Sequence, residues 1–252
     1  ATPDATTYYQ FQESLKPIIS MPNKVKADLK PAQMSVIDLQ KAARAKGKTW
    51  LSQELFQEIK KALRKKEQVI LFINRRGHAA SWQCQACGWT QVCKNCDFAQ
   101  TLHADQNLLI CHHCNFRSTP KITCPNCGSA EVSSSGIGTK KVIEDLKQIF
   151  PDAKAQRFDT DNTEAEHLKN HIQKLKEGQI DIIVGTQIIS KGLDLPRLTT
   201  IGVLNADVGS AQTDYLSSER TYQNLAQLLG RIGRHSDENK ILLQTYQPEN
   251  LI

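Results

Sequence analysis

The sequence predicts an α/β protein, a parallel sheet with helices on both faces, interrupted by an inserted cysteine-rich module. Three observations predict it. Short apolar runs such as Val69-Ile70-Leu71-Phe72-Ile73 read as strands buried on both faces. These runs alternate with stretches of helical periodicity, the pattern of a doubly wound sheet. All eight cysteines of the 252 residues fall between Cys84 and Cys127, in four C-x-x-C pairs.

Taken in order, residues 1–35 are polar and proline-punctuated and give no clear core. Val36 to Leu39 reads as a short strand, and Lys41 to Lys48 as a solvated connection. Ser52 fits a helix N-cap, with Leu55, Phe56, Ile59 and Leu63 at helical spacing and an end near Lys66. The strand Val69 to Ile73 follows, and NRRG directly after it. Beyond the cysteines, Gly136-Ile137-Gly138-Thr139 leads into a helix with Val142, Ile143, Leu146 and Ile149 on one face, stopped by Pro151. Ala155 to Phe158 is a strand. Thr163 caps a helix running through Leu168, Ile172 and Leu175 to Gly178. Ile180 to Val184 and Thr200 to Leu204 are strands, Ser217 to Arg231 a long helix, and Lys240 to Thr245 the last strand. The expected division is a lobe from residues 36–80 and 130–252 with residues 84–128 inserted. An insertion after Ile73 leaves the carboxyl end of a parallel strand, where ligands bind in such folds.

A C-x-x-C pair places two thiolates on one tight turn, and two pairs complete a tetrahedral site. Four pairs therefore predict two structural zinc ions. Gly88 and Gly128 suit the turned backbone after a knuckle. Fourteen residues separate Cys96 from Cys111, zinc-ribbon spacing. This favours Cys93, Cys96, Cys111 and Cys114 as one site and Cys84, Cys87, Cys124 and Cys127 as the other. Sequential and crossed pairings are the alternatives. Disulfides need an oxidising compartment, and the chain has no secretory signal. With eight thiolates available, His112 and His113 read as bystanders.

No apolar run reaches membrane length, which predicts a soluble cytoplasmic protein without a membrane partner. The net charge of +6 fits an acidic partner, nucleic acid first. Twelve Lys or Arg against four Asp or Glu lie between Lys24 and Lys66. A zinc ion with four thiolates carries two negative charges, so the basic face lies outside the cysteine module. A solvated helix surface accounts for Lys60 to Lys66 as well as nucleic-acid contact does.

Three loops carry candidate chemistry, each expected at a strand's carboxyl end. Asn74-Arg75-Arg76-Gly77 suits phosphate binding. In GTQIISKGLDLP, residues 185–196, backbone amides at a helical turn make an anion site. Thr186 adds a hydroxyl and Lys191 a charge, Gly192 admits close backbone approach, and Asp194 orders the loop. In QLLGRIGR, residues 227–234, Arg231 and Arg234 share a helix face and suit the spread charge of a transferring phosphoryl group.

The order strand–NRRG, strand–GTQ-x₄-KG-x-D-x-P and Q-x-x-G-R-x-G-R resembles motifs IV, V and VI of superfamily 2 helicases. With the eight-cysteine insertion after NRRG, the chain resembles the primosomal replication-restart helicases. LFINRRG, CGW, CHHC, CPNCGS, GIGT, FDTDNT, VLNAD and ILLQTYQP are similar too, and Ala1-Thr2-Pro3 matches the end of motif III. The resemblance implies a RecA-like second lobe, with residues 1–35 the remnant of an inter-lobe segment. It implies nested cysteine pairing and, in the full protein, ATP- and Mg²⁺-dependent 3′-to-5′ unwinding of DNA at stalled forks. It further implies Arg234 as arginine finger, Arg231 on the γ-phosphate and Gln227 ordering the loop. Gly185, Thr186, Gln187, Lys191, Gly192 and Asp194 would couple nucleotide to DNA, with Asn74, Arg75 and Arg76 on DNA. Primosome proteins and single-stranded-DNA-binding protein are the implied partners.

Departures are Ile232 within GRIGR, Asp214-Tyr215-Leu216-Ser217-Ser218-Glu219-Arg220, which loses an arginine, and Leu195 before Pro196. The sequence contains no G-x-x-x-x-G-K-[ST] string and no acidic Walker B stretch. It is expected to be a fragment or truncated product, inactive alone. The alternative reading is a non-catalytic zinc module that binds DNA or protein from a RecA-like scaffold.

Overall fold

The apolar run after the first amphipathic helix becomes the central strand of the molecule. The computed structural model describes residues 3–14, 17–19, 30–74, 81–103, 105–134, 138–158, 173–186, 194–207, 216–232 and 236–250. Within these, six strands form one sheet: β1 (Gln33–Asp38), β2 (Gln68–Phe72), β8 (Ala155–Phe158), β9 (Ile182–Gly185), β10 (Leu198–Val203) and β11 (Lys240–Thr245). Their order is β1-β11-β10-β2-β9-β8, and every neighbouring pair is parallel.

Side chains alternate across the sheet, so each strand feeds two cores. On one face, Val69 and Leu71 of β2 and Ile182 and Val184 of β9 pack with α2 (Gln53–Arg64) and α3 (Thr139–Ile149). On the other, Ile70, Phe72, Ile183, Ile201 and Val203 pack with Leu175 and with α4 (Ser217–Leu229) through Leu225 and Leu228. Ser52 caps α2, its side chain accepting from the Leu55 amide at 3.2 Å. The buried Gln244 of β11 ties that cap to the sheet, accepting from Ser52 N at 3.0 Å and donating to Trp50 O at 2.8 Å.

The structure adds to the sequence reading at four places, and at two of them, Lys41 to Lys48 and the end of the last helix, it corrects it. Residues 1–35 contain α1 (Ala5–Glu13), capped by Asp4 and burying none of its residues. Lys41 to Lys48 is no solvated connection: Ala45 is buried in the core, and Lys48 Nζ meets the Asp145 carboxylate at 2.8 Å. The last helix ends at Leu229, and Gly230 is its C-cap. The helix expected from Thr163 lies outside the described residues as far as Ile172, while residues 173–176 are helical and Gly178 turns the chain at φ +71°.

Between β2 and α3 stand two small sheets. β3 (Trp82–Cys84) pairs antiparallel with β7 (Val132–Ser134), closing the base of the cysteine module. β4 (Thr101–His103), β5 (Leu108–Ile110) and β6 (Arg117–Ser118) form an antiparallel meander inside it. No described strand of either small sheet pairs with the six-stranded sheet.

Candidate metal centre

Each C-x-x-C pair builds the same knuckle. The amide of the residue after the second cysteine donates to the first cysteine's carbonyl: Gly88, Asp97, Asn115 and Gly128 do so at 2.8–2.9 Å. Those four residues have φ of +80°, +58°, +59° and +75°. Cysteine amides then donate onward, Cys84 to Trp89 O, Cys93 to Phe98 O, Cys111 to Phe116 O and Cys124 to Ser129 O. Asparagine and aspartate tolerate the left-handed region better than most residues, so two of the knuckles need no glycine.

The knuckles bring the thiols together in two groups, Cys84, Cys87, Cys124 and Cys127, and Cys93, Cys96, Cys111 and Cys114. Sulfur pairs stand at 3.7 Å for Cys84 and Cys127, 3.6 Å for Cys87 and Cys124, 3.4 Å for Cys93 and Cys114, and 3.5 Å for Cys96 and Cys111. A tetrahedral ion with Zn–S bonds of about 2.3 Å sets its sulfurs about 3.8 Å apart, so the donor sets fit zinc. N–H groups surround the sulfurs, including Asn95 N on Cys93 at 3.4 Å and Asn126 Nδ2 on Cys87 at 3.5 Å. Burial opposes ionisation of Cys87, but Asn126, the Trp89 amide and the neighbouring thiols bring it down to about 7. Burial and the neighbouring thiols push Cys96 up to about 12. Within each cluster one thiol ionises easily and another resists, Cys87 against Cys127 and Cys111 against Cys96, and a dication supplies the charge that releases the remaining protons.

Two buried glutamines, which sequence patterning did not single out, hold the module together. Gln91 donates to Ser118 Oγ at 3.1 Å and to Thr119 O at 3.2 Å, and accepts from Lys121 N at 3.2 Å. Gln100 accepts from Ser118 Oγ at 2.8 Å. A module with so little apolar interior is organised by these amides and by its metal ligands.

The module seats on the sheet's carboxyl edge through Tyr246, just past β11. Its hydroxyl donates to Gln85 O at 2.8 Å, and burial pushes its pKa up to about 12. Its ring covers Gly88, where an added Cβ would meet Tyr246 Cβ at 2.4 Å. Asp207, after β10, accepts from Tyr246 N at 2.6 Å and from Thr245 Oγ1, and burial pushes its carboxyl up. Tyr246 and Asp207 lie within the ILLQTYQP and VLNAD strings, but single residues in those strings carry no positional signal.

The other candidates divide between two ends of the sheet. Asn74 and Thr186 lie at the carboxyl edge, after β2 and β9, whose ends pair at Phe72 and Gly185. Asn74 is only 3% exposed, and its Nδ2 finds no hydrogen-bond partner among the described residues. Gly185 is buried as the last residue of β9, and Asp194 is exposed. Arg75, Arg76, Gln187, Lys191, Gly192 and Arg234 lie outside the described residues. Residues 227–232 do not follow a strand, as the sequence suggested. They end α4 and lead towards the start of β11. Gln227 is exposed on α4, and the amide of Arg231 donates to Leu228 O at 3.0 Å. Ile232 joins the core cluster that holds Leu198 and Ile241, near the amino ends of β10 and β11.

A parallel sheet of this order, carrying a module of two four-thiol sites at the carboxyl end of a central strand, defines a helicase second lobe with a zinc insertion. The helicase conserved C-terminal domain matches residues 131–236, and the PriA DNA helicase Cys-rich region domain matches residues 93–118. Over nearly its whole length the chain is similar to replication restart protein PriA of several bacteria. It is 34% identical over 99% of its length to replication restart protein PriA of Bacillus subtilis strain 168, 35% identical over 98% to that of Borreliella burgdorferi, and 36% identical over 100% to that of Rickettsia conorii. It spans 31%, 36% and 39% of those relatives. No described helix is long and apolar enough to cross a membrane.

Proposed function

We propose that this chain is the second motor lobe of an ATP-dependent 3′-to-5′ DNA helicase that restarts replication at stalled forks and initiates primosome assembly. The observation that carries this reading is the two-site cysteine module leaving β2 at the sheet edge where Asn74 and Thr186 also lie. The lobe is residues 36–80 and 130–252, the insertion residues 84–128, and residues 1–35 the end of an inter-lobe segment. Two zinc ions fill the thiol clusters and fix the module's shape. ATP and Mg²⁺ bind between this lobe and a P-loop lobe, where Arg234 acts as arginine finger, Arg231 holds the γ-phosphate and Gln227 orders the loop. Gly185, Thr186, Gln187, Lys191, Gly192 and Asp194 couple nucleotide state to a DNA phosphate. Arg75 and Arg76 add positive charge for DNA, and buried Asn74 offers an Nδ2 that has no partner among the described residues. Primosome proteins and single-stranded-DNA-binding protein meet the complete protein in the cytoplasm.

The phosphoryl-transfer site needs a P-loop lysine and a Mg²⁺ carboxylate in addition to these arginines. The purified chain is therefore expected to show no ATP turnover with or without DNA. In a protein that joins it to a P-loop lobe, Arg234→Ala is expected to lower DNA-stimulated turnover about 10³-fold or more. DNA-stimulated hydrolysis by the isolated chain, abolished by Arg234→Ala, overturns the expectation that this lobe is inactive without a P-loop lobe.

A further inference from the structure

Neither thiol cluster uses the imidazoles of His103 and His112, yet these two converge. Their Nε2 atoms stand 3.3 Å apart, and their rings are tilted at 52° with centroids 5.2 Å apart. Both positions are fixed by backbone. His103 ends β4, in register with Leu108 of β5, and His112 lies inside the Cys111–Cys114 knuckle. The adjacent His113 turns elsewhere, its ring 4.6 Å from that of Phe98.

A tetrahedral zinc ion with Zn–N bonds of about 2.0–2.1 Å holds two imidazole nitrogens about 3.3–3.4 Å apart. The His103–His112 separation matches that edge, as the sulfur separations match theirs. Imidazole is a ligand suited to zinc, nickel and copper. A hydrogen bond between two neutral rings also fits 3.3 Å, but at an exposed site water competes with it and gives the rings little reason to meet. A cation gives them one. The neighbouring Cys93–Cys114 cluster, once filled, carries two negative charges and favours a further cation close by.

We infer that His103 and His112 form a third, surface metal site that takes one divalent transition-metal ion through their two Nε2 atoms. Water completes its coordination, and the two four-thiol sites remain as they are. The site depends on neither the ATP nor the DNA roles proposed above, so its test stands apart from theirs.

The experiment is a calorimetric titration of Zn²⁺ into the 252-residue chain, already holding its two cysteine-bound ions by elemental analysis. One further equivalent is expected to bind. His103→Ala and His112→Ala are each expected to lose it, and His113→Ala to keep it. His103→Asn serves as a second variant outside the knuckle, keeping a polar side chain but removing the imidazole ligand. If His112→Ala also releases cysteine-bound zinc, His103→Ala and His103→Asn decide. Absence of a third equivalent in the wild-type chain, or its survival in the His103 variants, overturns the assignment.

Discussion

Gly88 and Gly128 hold equivalent places in their knuckles, with φ of +80° and +75°, but they are not equally replaceable. A Cβ at Gly128 meets nothing within 4 Å, whereas one at Gly88 meets the Tyr246 side chain at 2.4 Å. Left-handed backbone costs a side-chain-bearing residue about 1–2 kcal/mol, and Gly88→Ala adds the displacement of Tyr246. Gly88→Ala is expected to lower the stability of the zinc-loaded chain by at least ~1 kcal/mol more than Gly128→Ala, measured by denaturant unfolding. Gly128→Asn is expected to be milder still, since Asn115 already occupies that conformation at φ +59°. Equal losses for the two alanine variants refute the Tyr246 contact. The glycines were legible in the sequence as turn residues, but what distinguishes them was not, because Tyr246 lies 158 positions beyond Gly88.

Asp145 shows the same limit. It is 2% exposed and receives Trp50 Nε1 at 2.9 Å, Lys48 Nζ at 2.8 Å and Lys141 Nζ at 3.4 Å. Burial raises its pKa, but the bonds from Lys48, Trp50 and Lys141 outweigh burial and hold the carboxyl below its ordinary 3.8. A folded-state pKa below the unfolded one gives stability that is complete above the ordinary value and is lost as pH falls through the folded value. Asp145→Asn is therefore expected to cost about 2 kcal/mol at neutral pH. The gap between variant and wild type should shrink as pH falls below 3.8. A gap independent of pH in thermal melts refutes the ionised Asp145.

Among the elements, those whose periodicity is confined to their own residues were the legible ones. β8 and β11 have the bounds read from Ala155–Phe158 and Lys240–Thr245, and α2 starts at its Ser52 cap. Lys41 to Lys48 was misread because its core residues, Ala42 and Ala45, are small and sit among four cations, while the partner of Lys48 is on α3. The amino-terminal helix α1 gave no signal because it buries nothing. The four knuckles were legible as a spacing, and the spacing works because each turn is closed by its own backbone amides. Their grouping into two clusters, however, is held by metal ligands and by Gln91 and Gln100 rather than by a large apolar core. Chelation of zinc is therefore expected to unfold residues 84–128 while the six-stranded sheet, which shares no strand pairing with them, persists. Hydrogen exchange after chelator treatment should lose protection at the amides of Cys84, Cys93, Cys111 and Cys124 and keep it across β2, β9 and β10. Loss of protection in the large sheet as well means that the two parts fold as one.

Across the whole molecule, charge and chemistry divide between the two edges of the sheet. The basic end of α2 lies at the amino edge: Lys65 precedes β2 and meets Glu238, which precedes β11, at 2.5 Å. The metal module, Asn74 and Thr186 lie at the carboxyl edge. The charge count between Lys24 and Lys66 was readable, but its placement was not, because direction along a parallel sheet is a property of the assembled fold. Binding to single-stranded DNA releases counterions, and each phosphate contact adds about 0.7 to the slope of log affinity against log salt. If DNA runs along the carboxyl edge, Arg75→Ala with Arg76→Ala is expected to reduce that slope by about 1.4 and weaken binding at low salt most. Lys60→Ala with Lys61→Ala removes as much charge from the other edge and is expected to leave the slope within about 0.3 of wild type. Fluorescence anisotropy with a labelled single strand, from about 50 to 200 mM salt, compares the two pairs directly. A larger slope change from the lysine pair places the nucleic acid on α2 instead, and the division of labour between the two edges then fails.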